Sequence, residues 1–357
     1  MSNDLYSLRK GLSIFGVHPD ELITRGIHQK ELPPFARSES DRRQLKSWTT
    51  NELPLLGEKV GFLKKGKKSI AVAVFVTKGG VLKSTLTLNI ARLAALHNIR
   101  TCVVGLDMQG DITNALSDSN LCDEDGSLAD ALKKMNSLVG LPDVFAGRVS
   151  LVDVIRDTDI PTLKFIPETP ELVALDQNLV HRNRREYWLK EQVIEPLKEN
   201  FDLVLMDCSP NWNRLITNSL VACDSLISPL ECKINNFRNL QMFRALIGEF
   251  RNDMRSSFKH IYVPTRIVPS RRLSQEIYTW YRQNLENCVS SGIRESLQGE
   301  ESIALKISLP EYSPSSLVAD EMRLLLQEIW QEMVNVRLDL ISNRDKNEKA
   351  SSAEGHL

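Results

Sequence analysis

The chain has 357 residues, of which 42% are hydrophobic, a formal net charge of −1 and six cysteines. That is enough for one large globular domain and a small one, and it excludes a disordered or fibrous chain. The charge balance excludes a bulk electrostatic coat for nucleic acid, no eighteen apolar residues run together and no basic-then-apolar start is present, and the cysteines lack Cys-x-x-Cys spacing, so neither a disulfide frame nor a zinc site is expected in what reads as a soluble cytoplasmic protein.

Charge is unevenly spread: residues 1–68 hold thirteen Lys and Arg against eight Asp and Glu, which leaves about −6 for the remainder. Residues 1–66 read as a separate N-terminal unit. Leu5, Leu8, Leu12 and Phe15 share one face of a short helix, although Gly11 inside it costs about 1 kcal/mol against alanine. Gly16 can end that helix, and His18-Pro19-Asp20-Glu21 reads as the start of a second. This order resembles a helix-turn-helix. Leu32-Pro33-Pro34, Arg37, the Arg42-Arg43 pair, Trp48 and Thr50-Asn51-Glu52-Leu53 follow, an order that resembles the winged helix-turn-helix of MerR-type regulators. A helical dimerisation arm with solvated arginines is the other reading of this segment. Lys64-Lys65-Gly66-Lys67-Lys68 marks a basic linker.

From Ser69 strands and helices alternate, which predicts a doubly wound, mostly parallel α/β sheet of about seven strands. Ile70–Val76 is the first strand, buried and rich in β-branched residues. Lys78-Gly79-Gly80-Val81-Leu82-Lys83-Ser84-Thr85 follows, and then Leu86, Leu88, Ile90, Ala91, Leu93 and Ala94 at helical spacing. Glycines between a strand and a helix aim backbone N–H groups at an anion. Lys83 suits β- and γ-phosphates and the Ser84 hydroxyl suits magnesium. The plainer alternative is a Gly-Gly turn with two solvated lysines. Further strands are expected at 101–107, 162–167, 201–207, 225–230, 260–268 and 304–309, with helices at 188–197, 215–222 and 317–336 and a disordered tail over 343–357. Asp107 and Asp207 end two of these strands, on the rim that carries the glycine loop, where such sheets bind ligands.

Lys-Gly-Gly-Val-x-Lys-Ser/Thr resembles the deviant Walker A motif of the ParA/MinD ATPases. Thr77 and Leu82 stand where the usual P-loop has glycine, and family members with an extra N-terminal DNA-binding segment often lack glycine at the position of Leu82. Leu106-Asp107-Met108-Gln109-Gly110-Asp111 is similar to the family's Asp-Pro-Gln-Gly segment, with Met108 for proline and Gly105 for an acid often found two residues before the aspartate. Leu203–Pro210 resembles its Walker B strand, and Ala222–Leu230 extends the likeness, which covers roughly residues 69–335. Lys233 stands where many relatives carry an acid.

The resemblance implies a P-loop ATPase domain over 67–342 that uses ATP and Mg2+. Residues 78–85 bind nucleotide, from Lys78 through Gly79, Gly80, Val81, Leu82, Lys83 and Ser84 to Thr85. Lys78 reaches across an ATP-dependent homodimer, Lys83 and Asp107 serve catalysis, and Ser84 and Asp207 hold the metal. It also implies non-specific DNA binding by basic residues, for which Arg42, Arg43, Arg266, Arg271, Arg272 and Lys306 are candidates. The implied function is plasmid or chromosome partition on the nucleoid with a ParB-type partner, with repression of its own operon as a further role for the N-terminal unit. A nucleotide-switched DNA-binding regulator with little or no hydrolysis is the alternative, because of Leu82. A membrane-bound relative is disfavoured because residues 343–349 lack an apolar stripe.

Overall fold

The computed structural model describes residues 5–36, 47–117 and 138–334. The chain begins with strand β1 (Tyr6–Ser7), helix α1 (Leu8–Ile14) and a four-residue helix α2 (Glu21–Thr24), followed by β2 (Ser47–Trp48) and α3 (Leu53–Val60). β1 and β2 pair antiparallel, Tyr6 opposite Trp48. α1 starts later than the apolar spacing suggests, because Ser7 caps it by accepting a hydrogen bond from the Lys10 amide, and Leu5 is left exposed. Gly11 is tolerated inside α1 for a steric reason: a Cβ there would stand 2.7 Å from the Trp48 ring. Gly16 has φ +69° at the end of α1, the left-handed turn that favours glycine. At the start of α2 the Asp20 side chain does not cap the helix and lies 3.1 Å from His18 Nδ1. The His18 amide donates instead to Glu21 Oε1 at 3.3 Å. Arg37, Arg42, Arg43 and the tail over 343–357 lie outside the described residues.

The main sheet has seven strands: β3 (Ile70–Val74), β4 (Thr101–Leu106), β5 (Arg156–Asp157), β6 (Leu163–Ile166), β7 (Leu203–Cys208), β8 (Ser225–Glu231) and β9 (Lys259–Thr265). Their order is β5-β6-β4-β7-β3-β8-β9. All pairs are parallel except β5 with β6. The expected strand at 304–309 is not one. Helix Leu297–Ala304 ends there, Lys306 takes φ +61°, and Ser308 starts the helix Leu309–Tyr312. The physical reason is a capping box: the Ser308 amide and hydroxyl both donate to Glu311 Oε2, at 2.9 and 2.6 Å. The seventh strand is the antiparallel edge β5.

Side chains alternate across the sheet as a period of two requires. Val72 and Val74 of β3 join Leu203 and Leu205 of β7 in one core cluster, while Ala71, Ala73 and Phe75 join Val204 and Met206 in the other. Helix α4 (Lys83–Leu96) covers the first face. Nearly every residue of α4 is buried, including Thr87, Asn89 and Arg92, because the N-terminal elements cover its outer side. Leu12, Phe15, Trp48, Leu53, Leu56 and Val60 share a core cluster with Leu86, Leu93 and Leu96. α3 approaches α4 so closely that a Cβ on Gly57 would stand 2.0 Å from the Leu96 carbonyl oxygen. Residues 317–334 form a helix. Its Arg323 donates to the Ser13 and Ile14 carbonyls at 3.1 and 3.2 Å, and its Trp330 donates to the Lys64 carbonyl at 2.8 Å.

Inside α4, the fully buried Arg92 donates to both Glu311 and Asp159 at 2.7–2.8 Å, which joins the P-loop helix to the segment after residue 308.

Candidate active site

The carboxyl ends of β3, β4 and β7 meet at one rim, and the loop from Thr77 to Leu82 crosses it before α4 begins. Register explains which side chains converge. Val74 pairs with Asp207, and Asp207 pairs with Gly105, so the side chains of Asp207 and Asp107 point to the face that α4 covers.

Gly79 and Gly80 are exposed, and nothing lies within 4 Å of where a Cβ on either would stand. Gly80 has φ +72°. Val81 is a core residue, not an open part of the loop. Leu82, the cap position of α4, has φ 70° and ψ 33°. This is the left-handed region, where a non-glycine residue costs about 1–2 kcal/mol. The backbone path is therefore that of a glycine position carrying a leucine. The Leu82 side chain lines a cavity of about 160 Å3 with Thr85, Asn89, Arg266, Ser296 and Ile303.

Lys83 is buried, and its ammonium donates to the Lys78 carbonyl at 3.5 Å. The Ser84 hydroxyl donates to Asp207 Oδ2 at 2.7 Å, and the Thr87 hydroxyl to Asp207 Oδ1 at 2.8 Å. Asp207 is wholly buried. Burial pushes its carboxyl up to about 6, against the opposing pull of the Ser84 and Thr87 hydroxyls and Lys83. Asp107 accepts from the Gln109 amide at 3.2 Å. Its pKa is also raised by burial, with the Gln109 amide and Lys83 opposing. Asp111 begins helix α5 (Asp111–Leu116), and one of its carboxylate oxygens lies 3.5 Å from Ser84 Oγ.

Lys78 is paired with Glu231 at 3.3 Å. Glu231 closes β8 and also binds Lys233 at 2.7 Å, with Arg266 at 3.6 Å. Burial works to raise the Glu231 carboxyl, but Lys233 and Lys78 outweigh it and hold it below the usual range. Arg266 turns inward: it donates to the Gly80 carbonyl and pairs with Glu295, both at 3.1 Å. Lys306 lines a cavity of about 270 Å3 with Ser84, Thr85 and Asp111. Arg266 and Lys306 thus flank the loop, whereas Arg271 and Arg272 are exposed on the surface, Arg272 paired with Glu276 at 2.7 Å.

Sequence reasoning missed Thr87, Glu231 and Glu168. A hydroxyl four residues after Lys83 on a helix was a usable signal for Thr87. Glu231 and Glu168 carried none: Glu231 closes β8 and Glu168 follows β6, each far along the chain from the residues it contacts.

Among the described residues no helix is long and apolar enough to cross a membrane. The family model described as an AAA domain matches residues 68–260. The chain is similar to the sporulation initiation inhibitor protein Soj of Bacillus subtilis, 29% identical over 162 residues, which is 45% of this chain and 58% of that protein. It is similar to the chromosome partitioning protein ParA of Myxococcus xanthus, 26% identical over 182 residues, or 51% of this chain and 59% of that one. The chain therefore spans somewhat less than two thirds of these relatives. In fold it is similar to a putative plasmid partition protein of Borrelia burgdorferi bound to AMPPNP, with a TM-score of 0.59 at 17% identity, covering 74% of this chain and all of the other. With more than half the chain matched by that model, the chain belongs to the AAA domain family and is of the ParA/MinD type.

Proposed function

We propose that this chain is an ATP-hydrolysing DNA-partition protein that binds ATP and Mg2+ at the Lys78–Thr85 loop and dimerises on nucleotide. The observation that carries this reading is the convergence of Lys83, Ser84, Asp107 and Asp207 at one strand rim, beneath an open glycine loop. The residues fit the cargo. Backbone N–H groups at the start of α4 and the Lys83 ammonium suit a polyphosphate. Ser84 and Asp207 would hold Mg2+, and a buried carboxyl shifted upward is one that a cation would draw into its charged form. When bound, Mg2+ neutralises charge on the β- and γ-phosphate oxygens. Asp107 orients the attacking water in this reading. Lys78 must leave Glu231 to reach the nucleotide of a partner subunit.

The same reading assigns non-specific DNA binding to basic residues, with the exposed Arg271 and Arg272 as candidates together with Arg42 and Arg43 of the N-terminal unit, and stimulation by a ParB-type partner on the nucleoid. Arg266 and Lys306 are reassigned to the nucleotide rim. The N-terminal unit, if it reads an operator, adds repression of its own operon. Support comes from the family and from the named relatives, two of which are partition or sporulation-control proteins.

One observation favours a second reading. Leu82 in the left-handed region strains the loop that wraps phosphate, which suits a nucleotide switch with little turnover. Two measurements decide. Lys83→Ala abolishes ATP-dependent dimerisation in light scattering, and dimerisation unchanged by that substitution would sink the nucleotide reading. ATP turnover with random-sequence DNA that does not exceed the Lys83→Ala control would favour the switch.

A further inference from the structure

Glu168 lies two residues beyond β6 and folds its side chain back over β4, where it is buried. A Cβ built on Gly105 would stand 2.3 Å from Glu168 Cδ and 2.7 Å from Oε1. No real Cβ tolerates such contacts, so glycine at 105 is the condition for Glu168 to sit there. Gly105 pairs with Asp207 across the sheet and precedes Asp107 by one strand repeat. The Glu168 carboxyl therefore lies on the sheet face that carries both acids and α4.

The same carboxylate is tied down by the first turn of α5. It accepts from the Thr113 amide at 2.7 Å and the Ile112 amide at 3.3 Å, and also from the Thr113 hydroxyl. The Glu168 amide donates back to Thr113 Oγ1 at 2.8 Å. α5 starts where the turn Asp107–Gly110 ends, with Gly110 at φ +73°. Asp111, the first residue of α5, faces Ser84. One side chain thus pins the far end of the short segment that begins with Asp107. The hydrogen bonds of Glu168 go to Ile112 and Thr113, not to Lys83, Ser84 or Asp107, so its effect on those three is indirect.

We propose that Glu168 is the positioning residue that holds the Asp107 turn and the first turn of α5 against the P-loop helix, occupying the space that a side chain at position 105 would otherwise fill. The proposal deepens the ATPase reading and rests on it only for the kinetic part of its test. It predicts that positions 105 and 168 are exchangeable: a carboxylate offered from β4 at 105 does the work of Glu168 once Glu168 is shortened.

The test uses the full chain and four variants: Glu168→Ala, Glu168→Gln, Gly105→Asp and the double Gly105→Asp/Glu168→Ala. With ATP, Mg2+ and random-sequence DNA, Glu168→Ala lowers kcat about ten- to a hundredfold, the scale of a displaced catalytic group, and leaves KM for ATP within about threefold. Glu168→Gln, which keeps an acceptor for the amides, retains most of the rate. Gly105→Asp alone is inactive because it clashes, and the double variant exceeds Glu168→Ala in kcat. Hydrogen exchange over residues 107–116 reads positioning without turnover: those amides exchange at least about tenfold faster in Glu168→Ala and are slowed again in the double variant. Unchanged exchange in Glu168→Ala, or a double variant no better than Glu168→Ala in exchange, overturns the proposal. Wild-type turnover equal to the Lys83→Ala control overturns the ATPase reading instead, and leaves the exchange result to decide on Glu168.

Discussion

Thr87→Val removes one hydroxyl and nearly nothing else, at a site where the buried Asp207 carboxylate depends on it. The Thr87 hydroxyl donates to Asp207 Oδ1 at 2.8 Å and accompanies a second donor, Ser84, on the other oxygen. A hydrogen bond to a buried charged acceptor is worth about 1.5–3 kcal/mol, and one to a neutral group about 0.5–1.5. Asp207 titrates near 6 in the folded chain, above the ordinary 3.8. A raised acid stabilises the fold in its protonated form: that contribution is present below pH 3.8 and is lost as pH rises through 6. Loss of the Thr87 donor disfavours the charged form further, by about one pKa unit if the two bond strengths differ by about 1.4 kcal/mol. The variant is therefore penalised most where Asp207 is ionised. Thermal unfolding without nucleotide should fall by about 3–6 °C at pH 8 and by about 1–3 °C at pH 5, taking roughly 2 °C per kcal/mol for a chain of this size. Circular dichroism melts at the two pH values measure both. Equal losses at pH 5 and pH 8, or a loss below about 1 °C at pH 8, would show that Thr87 does not support an ionised Asp207.

Two further outcomes follow from backbone and burial. At Leu82, φ 70° reverses the usual ranking of small residues: Leu82→Gly should be more stable than Leu82→Ala by about 1 kcal/mol in denaturant unfolding, because only glycine enters this region freely; alanine equal or better would place Leu82 outside it. His97 is buried with Nδ1–H donating to the Leu93 carbonyl at 2.6 Å and Nε2 accepting from the Phe62 amide at 3.1 Å. Burial lowers its pKa to about 4, so its contribution is present above pH 6.5 and is lost as pH falls through 4, about 3 kcal/mol in all. An acid titration of stability should be shallower in His97→Gln, and an unchanged slope would remove His97 from the account.

The family motif was legible because its residues are contiguous. A β-branched run, a glycine loop, a lysine–serine pair and a helical apolar pattern are each short-range signals, and they placed Lys83 and Ser84 where the structure has them. Asp107 and Asp207 were legible because each ends an apolar strand. The strand misplaced at 304–309 shows the opposite case. A short apolar alternation was read as a strand, although Ser308 and Glu311 at capping-box spacing pointed to a helix start. The short edge strand Arg156–Asp157 has no apolar pattern at all, since it borrows its bonds from β6.

The burial of α4 on its outer side was not legible either. Nothing in residues 5–63 says that they pack on the P-loop helix, and that contact rests on side chains such as Trp48, Leu56 and Phe15 meeting Leu93 and Leu96 from far along the chain. Gly105 is the sharpest example. Its missing side chain looked like a lost acid, and the tertiary structure fills that space with Glu168 from the segment after β6.

What the amino-acid order determined alone is the chemistry of one loop and the α/β alternation around it, because hydrogen bonding and apolar periodicity act over a few residues. What only the folded chain decided is the company that rim keeps: Glu231 on Lys78, Arg266 on Gly80 and Glu168 over Gly105. These partners lie more than 60 residues from the groups they serve, and packing of distant strands on a shared rim, which no local pattern encodes, brings them together.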